Sequence, residues 1–351
     1  MLEVMGLDNE TLWADTVKQF QQHDVYYLPQ YVKAFKLHGD GEPMLFYYAS
    51  GNTRAINVVM KRDISQCAYF TDSFQADTCF DLSTPYGYGG FLIEGGRDAG
   101  ALKALDEEYS AWCRSYGIVS EFVRFHPVLE NHRGMEPVYD VAVLGKTVSM
   151  DLSSPEVIHA NIKTNKRNRI NKAQKSGVEV SWGLDESLFT VFKEIYDETM
   201  DRNEAQRYYY FEKSFYESVL VDLNNNALVF YATLSGEIIA AAIFLFCNGQ
   251  MHCHLSATKK EYLPNSPVTL LNYKAALWGF ENGYRTLHLG GGVGGRTDSL
   301  YTYKHEMNMK SDNVFAVGRK IFDCERYEFL MDMRRKNGAA LNPDFFPQYR
   351  G

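Results

Sequence analysis

The sequence lacks several features that would assign it to a specialised class of protein. Its 351 residues contain no apolar run near the roughly 20 residues that a membrane-spanning helix needs. None of its six cysteines belongs to a Cys-x-x-Cys pair, which favours reduced thiols and a cytoplasmic protein. The first ten residues contain acids and no basic residue, so we expect no signal peptide. A formal net charge of −8 gives no general indication of nucleic-acid binding.

The composition is that of an ordinary globular protein, with 45% hydrophobic and 23% charged residues, and the chain is long enough for two cores. In the first half, residues 44–49 and 55–61 flank a Ser-Gly-Asn-Thr segment and predict a strand hairpin. Residues 101–116 have apolar residues at helical spacing before Gly117, and residues 118–125 predict a strand.

The second half repeats this order of elements. Residues 227–233 and 238–246 predict a hairpin, residues 250–257 a third strand, residues 267–282 a helix and residues 286–289 a last strand. The repetition predicts two related domains of mixed α/β class. We expect a first domain of residues 1–147, with residues 318–351 packing back onto it, and a second domain of residues 148–317. Residues 324–336 have helical spacing, and residues 337–351 predict a surface strap.

A basic segment opens the second domain. Ser154 is a candidate N-cap, Pro155 suits the first helical position and Gly177 is a candidate stop, so one helix of about 33 Å is predicted between them. Its charges either face solvent or contact phosphates of a tRNA or a nucleotide-sugar carrier. Six basic side chains share the segment: Lys163, Lys166, Arg167, Arg169, Lys172 and Lys175.

The last predicted strand leads into a glycine-rich loop and then to Lys304. Residues 290–295 match G-x-G-x-x-G, but no apolar helix follows and too few residues remain for a dinucleotide-binding unit. The loop is therefore either a structural turn or a place where backbone approaches a ligand. His252 and His254 have no second cluster of ligands in the sequence, so we expect no metal.

Three short motifs carry a resemblance to a known family. They are Pro-Tyr-Gly-Tyr-Gly-Gly at residues 85–90, Arg-Asn-x-Ala followed by tyrosines from Arg202, and the aromatic–lysine pair Tyr303–Lys304. With the order of elements, they resemble the Fem family of aminoacyl transferases over most of the chain. That resemblance implies two tandem acetyltransferase-like (GNAT-like) domains, without the coiled-coil arm of the larger members. Tyr303 stands where the family usually has Phe, and Asp201 precedes the arginine where a Thr is frequent.

The resemblance also implies roles for individual residues. Lys304 would be catalytic, as a cation that stabilises the oxyanion formed in acyl transfer. The acceptor amine would lie in a cleft between the domains. The residues implied for binding this substrate are Lys36 (with Lys33 as the alternative), Tyr86, Tyr88, Arg202 and Tyr303. Those implied for binding the donor are Lys163, Lys166, Arg167, Arg169, Gly291 and Gly292.

The segment before the predicted helix 267–282 bears on the identity of the donor. Acetyltransferases usually hold the coenzyme A pyrophosphate there on a glycine-rich loop, whereas residues 259–267 contain two prolines and no glycine. This segment therefore predicts that coenzyme A is not held in the usual way. The Fem resemblance then implies no cofactor, an aminoacyl-tRNA donor, and a nucleotide-sugar or lipid-linked precursor as acceptor, with peripheral membrane association through the substrate. Two alternatives remain open: an N-acetyltransferase that uses acetyl-CoA as co-substrate on an amino sugar or polysaccharide precursor, and a non-catalytic relative that binds nucleotide sugar or RNA.

Overall fold

The computed structural model describes residues 1–70 and 75–351. Its contacts divide the chain into two compact units. The first consists of Met1–Leu144 and Phe315–Gly351, and the second of Gly145–Val314. The strands are β1 (Leu2–Met5), β2 (Glu42–Ser50), β3 (Thr53–Asp63), β4 (Phe80–Ser83), β5 (Leu92–Glu94), β6 (Ile118–Arg124), β7 (Asp140–Asp151), β8 (Glu179–Gly183), β9 (Ala227–Leu234), β10 (Glu237–Cys247), β11 (Gln250–Thr258), β12 (Thr286–Gly291) and β13 (Val314–Ile321).

Ten α-helices accompany these strands in the described ranges. They are α1 (Glu10–Lys18), α2 (Pro29–His38), α3 (Ala99–Ser115), α4 (Pro155–Asn161), α5 (Thr164–Lys175), α6 (Glu186–Arg202), α7 (Lys213–Asp222), α8 (Pro267–Glu281), α9 (Ser299–His305) and α10 (Cys324–Lys336). The longest of them, α3 and α6, have 17 residues each, so the described residues contain no coiled-coil arm. Within the same residues, no helix combines the length and the apolar character needed to cross a bilayer.

The sheet of the first unit runs in the order β1-β2-β3-β4-β6-β13, with β5 paired to β3. The hairpin predicted from sequence is confirmed, because β2 and β3 pair antiparallel from Glu42–Lys61 to Ser50–Thr53. Strand β4 lies parallel to β6, and the predicted helix between the hairpin and β6 is α3. The unit therefore has strands and helices in the order that its sequence indicates.

The C-terminal tail belongs to the core of the first unit. Tyr327, Leu330 and Met331 of α10 pack in one hydrophobic cluster with Ile64 and the last turn of the chain. The prediction of a surface strap for residues 337–351 is wrong at its end, since Tyr349 is completely buried. Arg334 donates to the carbonyl oxygens of Tyr349 and Gly351 at 2.9 and 2.7 Å, which explains how a segment of polar composition is held inside.

The sheet of the second unit runs in the order β7-β12-β11-β10-β9-β8. Strand β10 is central, and its apolar run is buried almost throughout, as a strand covered on both faces requires. Helix α8 packs its leucines and alanines into the same core. The predicted strands 227–233, 238–246, 250–257 and 286–289 are confirmed as β9 to β12, and the predicted helix 267–282 is confirmed as α8.

The basic segment does not form the single long helix that we predicted. Ser154 does cap a helix, accepting a hydrogen bond from Val157 N, but that helix is α4 and ends at Asn161. Ile162 and Lys163 have extended backbone with ψ near 132° and 139°, and α5 starts after them. The break lets Ile162 enter the core with 1% exposure while Lys163 N donates to Glu306 O. Tertiary packing therefore overrides a continuous local helix signal.

Candidate functional site

Two neighbouring strands of the second unit separate at one end. β11 and β12 pair in parallel over three residues, Gln250–His252 with Thr286–His288. Beyond them β11 stays with β10 as far as Thr258, whereas β12 stays with β7 as far as Gly291. The two parallel strands thus diverge at their carboxyl ends, because each stays paired with a different neighbouring strand. A crevice at the carboxyl ends of diverging strands is where α/β sheets commonly bind ligands.

The glycine-rich loop closes the end of β12. Gly290 has φ of +80°, and a Cβ atom there would lie 3.1 Å from the Nζ atom of Lys304. A Cβ atom on Gly291 would lie 2.8 Å from Lys146 O, and one on Gly292 only 2.1 Å from Arg296 O. Both of the proposed donor-binding glycines therefore serve close backbone packing here, and whether they also contact a donor stays a prediction.

Asp298 joins this loop to α9. Its carboxylate oxygens accept from Val293 N in the loop and from Tyr301 N in the first helical turn, both at 2.8 Å. An aspartate at this position caps a helix and fixes its start. The short helix α9 that follows carries the aromatic–lysine pair Tyr303–Lys304, so the loop determines where these two side chains lie.

Lys304 reaches back over the end of β12. Its Nζ atom donates to the Gly291 carbonyl oxygen at 2.9 Å. Burial lowers the pKa of the Lys304 ammonium, and the nearby Cys253 thiol and Asp298 carboxylate oppose that shift. The side chain is thus a partly desolvated amine at the separated strand ends, with its N–H groups available as donors. A donor in that position can hydrogen-bond a developing oxyanion.

Tyr303 lies against the first turns of α8. Its hydroxyl is 3.1 Å from Thr269 Oγ1, and Thr269 is buried. Burial raises the pKa of Tyr303 to about 12, while the Thr269 hydroxyl opposes the shift. The phenol is therefore neutral near pH 7 and can act as a hydrogen-bond donor or acceptor.

Lys166, which we assigned to donor binding, is buried. It is 2% exposed, and its Nζ atom lies 3.7 Å from the centre of the Tyr303 ring and 3.6 Å from Glu306 Oε2. Burial lowers its pKa to about 8, against the effect of Glu306. Lys163 binds the same carboxylate at 2.7 Å but remains exposed. Sequence analysis missed Glu306, because an acid about 140 residues after Lys166 gives no local signal of pairing with α5.

The other two proposed donor-binding cations differ from each other. Arg167 donates to the carbonyl oxygens of Ile162 and His159 at the end of α4, at 2.5 and 3.3 Å. It therefore satisfies helix-terminal acceptors instead of pointing away from the protein. Arg169 is exposed and lies close enough to Tyr303 to lower its pKa slightly. Of the two, only Arg169 is placed to meet a ligand in this conformation.

The segment before α8 forms a 3-10 helix, Lys260–Asn265. Ser266 then adopts a left-handed conformation with φ of 52°, and its carbonyl oxygen accepts from Thr269 N. Lys259 and Tyr262 both bind the Glu237 carboxylate, at 2.6 and 2.7 Å. The backbone of this segment is therefore arranged differently from the glycine-rich loop that usually holds the coenzyme A pyrophosphate.

Arg202 lies at the C-terminal end of α6. It donates to Thr258 O at 3.2 Å and to Thr199 Oγ1 at 3.4 Å. The first acceptor is the last carbonyl of β11 and the second is a hydroxyl one turn earlier in α6, so Arg202 links the end of α6 to the end of β11. Its proposed role in binding an acceptor phosphate stays a prediction.

The proposed acceptor residues of the first unit are also engaged within the protein. Lys36 forms an exposed ion pair with Glu42 at 2.7 Å, and the alternative, Lys33, pairs with Glu10 at 2.6 Å. An exposed pair such as Lys36–Glu42 is weak and can exchange for a ligand anion, whereas Lys33 and Glu10 are half-buried.

Tyr86 and Tyr88 lie in the loop that follows β4. The Tyr86 ring stacks on Phe35 with 5.5 Å between centroids, and Tyr31 Oη donates to Tyr86 O. Tyr88 meets the edge of Tyr26, and burial raises its pKa. Both tyrosines remain half-buried, so each keeps an exposed part.

Arg124 organises that loop and was missed in the sequence analysis. Its guanidinium donates to Gly87 O and Pro85 O, both at 3.0 Å. A basic residue near the end of a predicted strand, in a chain with a glycine-rich loop that needs donors for its carbonyl groups, is the signal that could have indicated it. The loop is therefore held from inside by a planar, multiply donating cation.

Comparison with known proteins agrees with this geometry. The acetyltransferase (GNAT) domain family matches residues 160–305, which include α5 to α9 and the separated strands. No curated protein sequence matches the chain. The crystal structure of FemX superposes with a TM-score of 0.66 at 12% identity, over 93% of this chain and 99% of FemX.

Two further structures are similar. The C-terminal domain of a putative lysylphosphatidylglycerol synthetase from Agrobacterium fabrum has a TM-score of 0.56 at 14% identity, over 89% of this chain and 92% of that domain. A conserved protein of unknown function from Bacteroides thetaiotaomicron VPI-5482 has a TM-score of 0.58 at 11% identity, over 92% of this chain and 100% of that protein. At such identities the likeness shows the fold.

The predicted fold class, two tandem GNAT-like units of mixed α/β type, is confirmed. Residues 160–305 form an acetyltransferase (GNAT) domain that contains the separated strands, the glycine-rich loop and Lys304. The chain therefore contains an acyltransferase domain of the GNAT type at residues 160–305, and as a whole it has the fold of FemX.

Proposed function

We propose that the chain transfers an aminoacyl group from aminoacyl-tRNA to an amine of a cell-wall or cell-surface precursor, in the cytoplasm. The observation that carries this proposal is the position of Lys304, whose ammonium lies at the separated ends of β11 and β12 and is held there by Gly291 O. Acyl transfer by aminolysis requires positioning and stabilisation of the oxyanion, and no metal or redox group.

The reaction begins when a neutral acceptor amine attacks the carbonyl carbon of the aminoacyl ester. A carbon–nitrogen bond forms and the carbonyl oxygen becomes an oxyanion, to which Lys304 donates a hydrogen bond. The Gly291 carbonyl uses one of the three ammonium hydrogens and thereby orients the others. The carbon–oxygen bond to the ribose then breaks, and the proton lost by the amine goes to the departing ribose oxygen.

The segment before α8 supports a donor other than coenzyme A. A pyrophosphate is usually bound by backbone N–H groups at a helix N-terminus. Here Pro267 has no N–H group, the preceding residues form a 3-10 helix, and the segment's Lys259 is paired with Glu237. The tRNA phosphates would instead meet the exposed cations of α5, namely Arg169, Lys172 and Lys175.

The acceptor is proposed to contact Lys36, Tyr86, Tyr88 and Arg202. Half-buried tyrosines offer flat faces and hydroxyl groups to a sugar or base, and the two cations suit a diphosphate. The name of the Agrobacterium relative describes an amino acid joined to a lipid head group. Because that domain has a fold similar to this chain, its name supports aminoacyl chemistry here.

The test is a transfer assay with two labelled donors. The purified protein is incubated with one of two donors, either a pool of tRNA charged with radiolabelled amino acids or labelled acetyl-CoA. The acceptors are UDP-muramyl peptides or amino-sugar nucleotides. We expect label from aminoacyl-tRNA to appear in the acceptor. Lys304→Ala should lower kcat by about 10²–10³-fold, the usual effect of losing one oxyanion donor.

The matched control is Lys310→Ala, which removes an exposed lysine from the same segment of the chain. It should retain wild-type turnover, and Lys304→Ala should retain the melting temperature. Turnover with acetyl-CoA alone would establish the acetyl-CoA-dependent alternative. Full activity of Lys304→Ala would remove the proposed catalytic role of that lysine.

A further inference from the structure

A polar surface cavity of about 510 Å³ lies in the first unit and is lined by none of the residues assigned to acyl transfer. Four elements meet there. They are the end of β3 at Lys61, the start of β4 at Phe80 with the preceding Thr78, the C-terminal end of α3 at Arg114 and the first turn of α10 at Arg326. The cavity is thus built from parts of the chain that are far apart in sequence.

Gly117 brings these elements close together. Its φ is +71°, and a Cβ atom on it would lie 2.8 Å from Thr78 O and 3.5 Å from an Arg326 nitrogen. The Gly117 carbonyl accepts from Phe80 N at 3.0 Å. Only glycine permits this approach, which places the end of α3 beside the start of β4 and beside Arg326.

The lining carries an excess of positive charge. It contains Lys61, Arg114 and Arg326 against one acid, Asp77, in a chain whose formal net charge is −8. Asp323 lies outside the lining, 3.5 Å from Arg326. Arg114 also lies in the last turn of α3, where a cation interacts favourably with the negative end of the helix dipole. Three cations in one cavity repel one another, and a bound anion removes that repulsion.

A smaller apolar cavity of about 220 Å³ adjoins the first, because Thr78 and Arg326 line both. Its other lining residues are Cys79, Phe329 and Leu330. The surrounding surface shows large aromatic side chains, since Tyr116 is 59% exposed and Phe329 is 56% exposed. Basic side chains next to exposed aromatic residues are typical of proteins that bind at the head-group level of a membrane.

We propose that these two adjoining cavities bind the phosphate-bearing head group of an anionic membrane lipid. Lys61, Arg114 and Arg326 hold the phosphate, and the apolar cavity takes the first part of an acyl chain. Tyr116 and Phe329 enter the interfacial layer. This site goes beyond the proposed aminoacyl transfer and does not depend on it, because no residue is shared between the two sites.

The test is flotation with vesicles of phosphatidylcholine, with or without phosphatidylglycerol. Wild-type protein should float only with vesicles that contain phosphatidylglycerol, and less at raised salt because screening weakens the attraction. The double variant Arg114→Gln/Arg326→Gln should lower the partition coefficient about 25-fold, since each surface cation contributes about fivefold. The matched control Lys18→Gln/Lys103→Gln removes the same charge from side chains that are 65% and 76% exposed, and should float like wild type.

Phe329→Ala tests the apolar part separately, and it should weaken flotation at raised salt while the melting temperature stays unchanged. Equal flotation of the cavity variant and the control variant would overturn the proposal. So would the absence of flotation by the wild type. Thermal stabilisation by soluble glycerol phosphate without flotation would also overturn it, in favour of a soluble phosphate ligand.

Discussion

The ammonium of Lys166 lies 3.7 Å from the centre of the Tyr303 ring. A desolvated cation over an aromatic face is attracted by the ring quadrupole. Lys166 also lies 3.6 Å from Glu306, so the side chain is buried between an aromatic ring and a carboxylate. Because Tyr303 immediately precedes Lys304, this buried charge helps to fix the backbone that carries the proposed catalytic lysine.

Lys166→Met should change how stability depends on pH. Burial lowers the pKa of Lys166 from 10.5 to about 8, so between these values the unfolded chain binds a proton that the folded chain does not. The free energy of unfolding of the wild type therefore rises with pH across that window. The variant should lose this rise, on the order of 3 kcal/mol, in denaturant titrations at several pH values.

Lys163→Met is the matched control for that experiment. Lys163 binds the same carboxylate of Glu306, but its side chain is 48% exposed. It should leave the rise in the free energy of unfolding between pH 8 and 10.5 as in the wild type. If both variants show the wild-type rise between the two pKa values, Lys166 is solvated in the folded protein.

Gly290→Ala should lower activity through Lys304. Gly290 has φ of +80°, and the added methyl group would lie 3.1 Å from Lys304 Nζ, so the ammonium must move. Gly283→Ala is the control, because it has φ of +79° and nothing within 4 Å of the added atom. Both changes should lower the free energy of unfolding by about 1–2 kcal/mol. Only Gly290→Ala should also lower kcat. Equal turnover of the two variants would show that the reaction does not depend on the position of the Lys304 ammonium.

Glu121→Gln should remove a pH-dependent loss of stability in the first unit. Glu121 is fully buried and accepts from Asn57 Nδ2 and Tyr139 Oη, both at 2.9 Å. Burial raises its pKa, so the folded chain keeps a proton at pH values where the unfolded chain has released it. The free energy of unfolding of the wild type falls as pH rises through that window, which starts near the unfolded value of about 4.3.

The glutamine variant cannot ionise, so its stability relative to wild type should increase as pH rises from that value. Denaturant titrations across this range measure the difference. Glu107→Gln changes a glutamate whose side chain is 67% exposed and serves as the control. A constant difference between Glu121→Gln and wild type would show that Glu121 has an ordinary pKa.

Asp81→Asn should detach the C-terminal tail. The buried Asp81 carboxylate accepts from Arg62 Nε at 2.6 Å, from Arg350 Nε at 2.5 Å and from Tyr349 Oη at 3.0 Å. Removing its charge leaves two arginines without their shared partner, which should cost about 3–5 kcal/mol in the free energy of unfolding. Limited proteolysis should then release the tail. Asp332→Asn, in an exposed pair with Arg335, should resist cleavage like wild type.

Local sequence patterns determined most of the elements in this protein. The predicted helix 324–336 has the same bounds as α10, and the buried apolar run of β10 was visible in the sequence. These elements follow from the spacing of apolar residues and from turn residues, which act over a few positions of the chain. The place of Lys304 after a strand and a glycine-rich loop was predicted for the same reason.

The tertiary structure alone decided which charges of the basic segment are available to a ligand. Lys166 is buried because Glu306 and Tyr303, about 140 residues later, surround it, and Arg167 is used by the carbonyl groups of α4. Tyr349 is buried because Asp81 and Arg334 bind the last turn. A sequence window shows the charge of a side chain, but its burial depends on partners that only the folded chain brings within hydrogen-bonding distance.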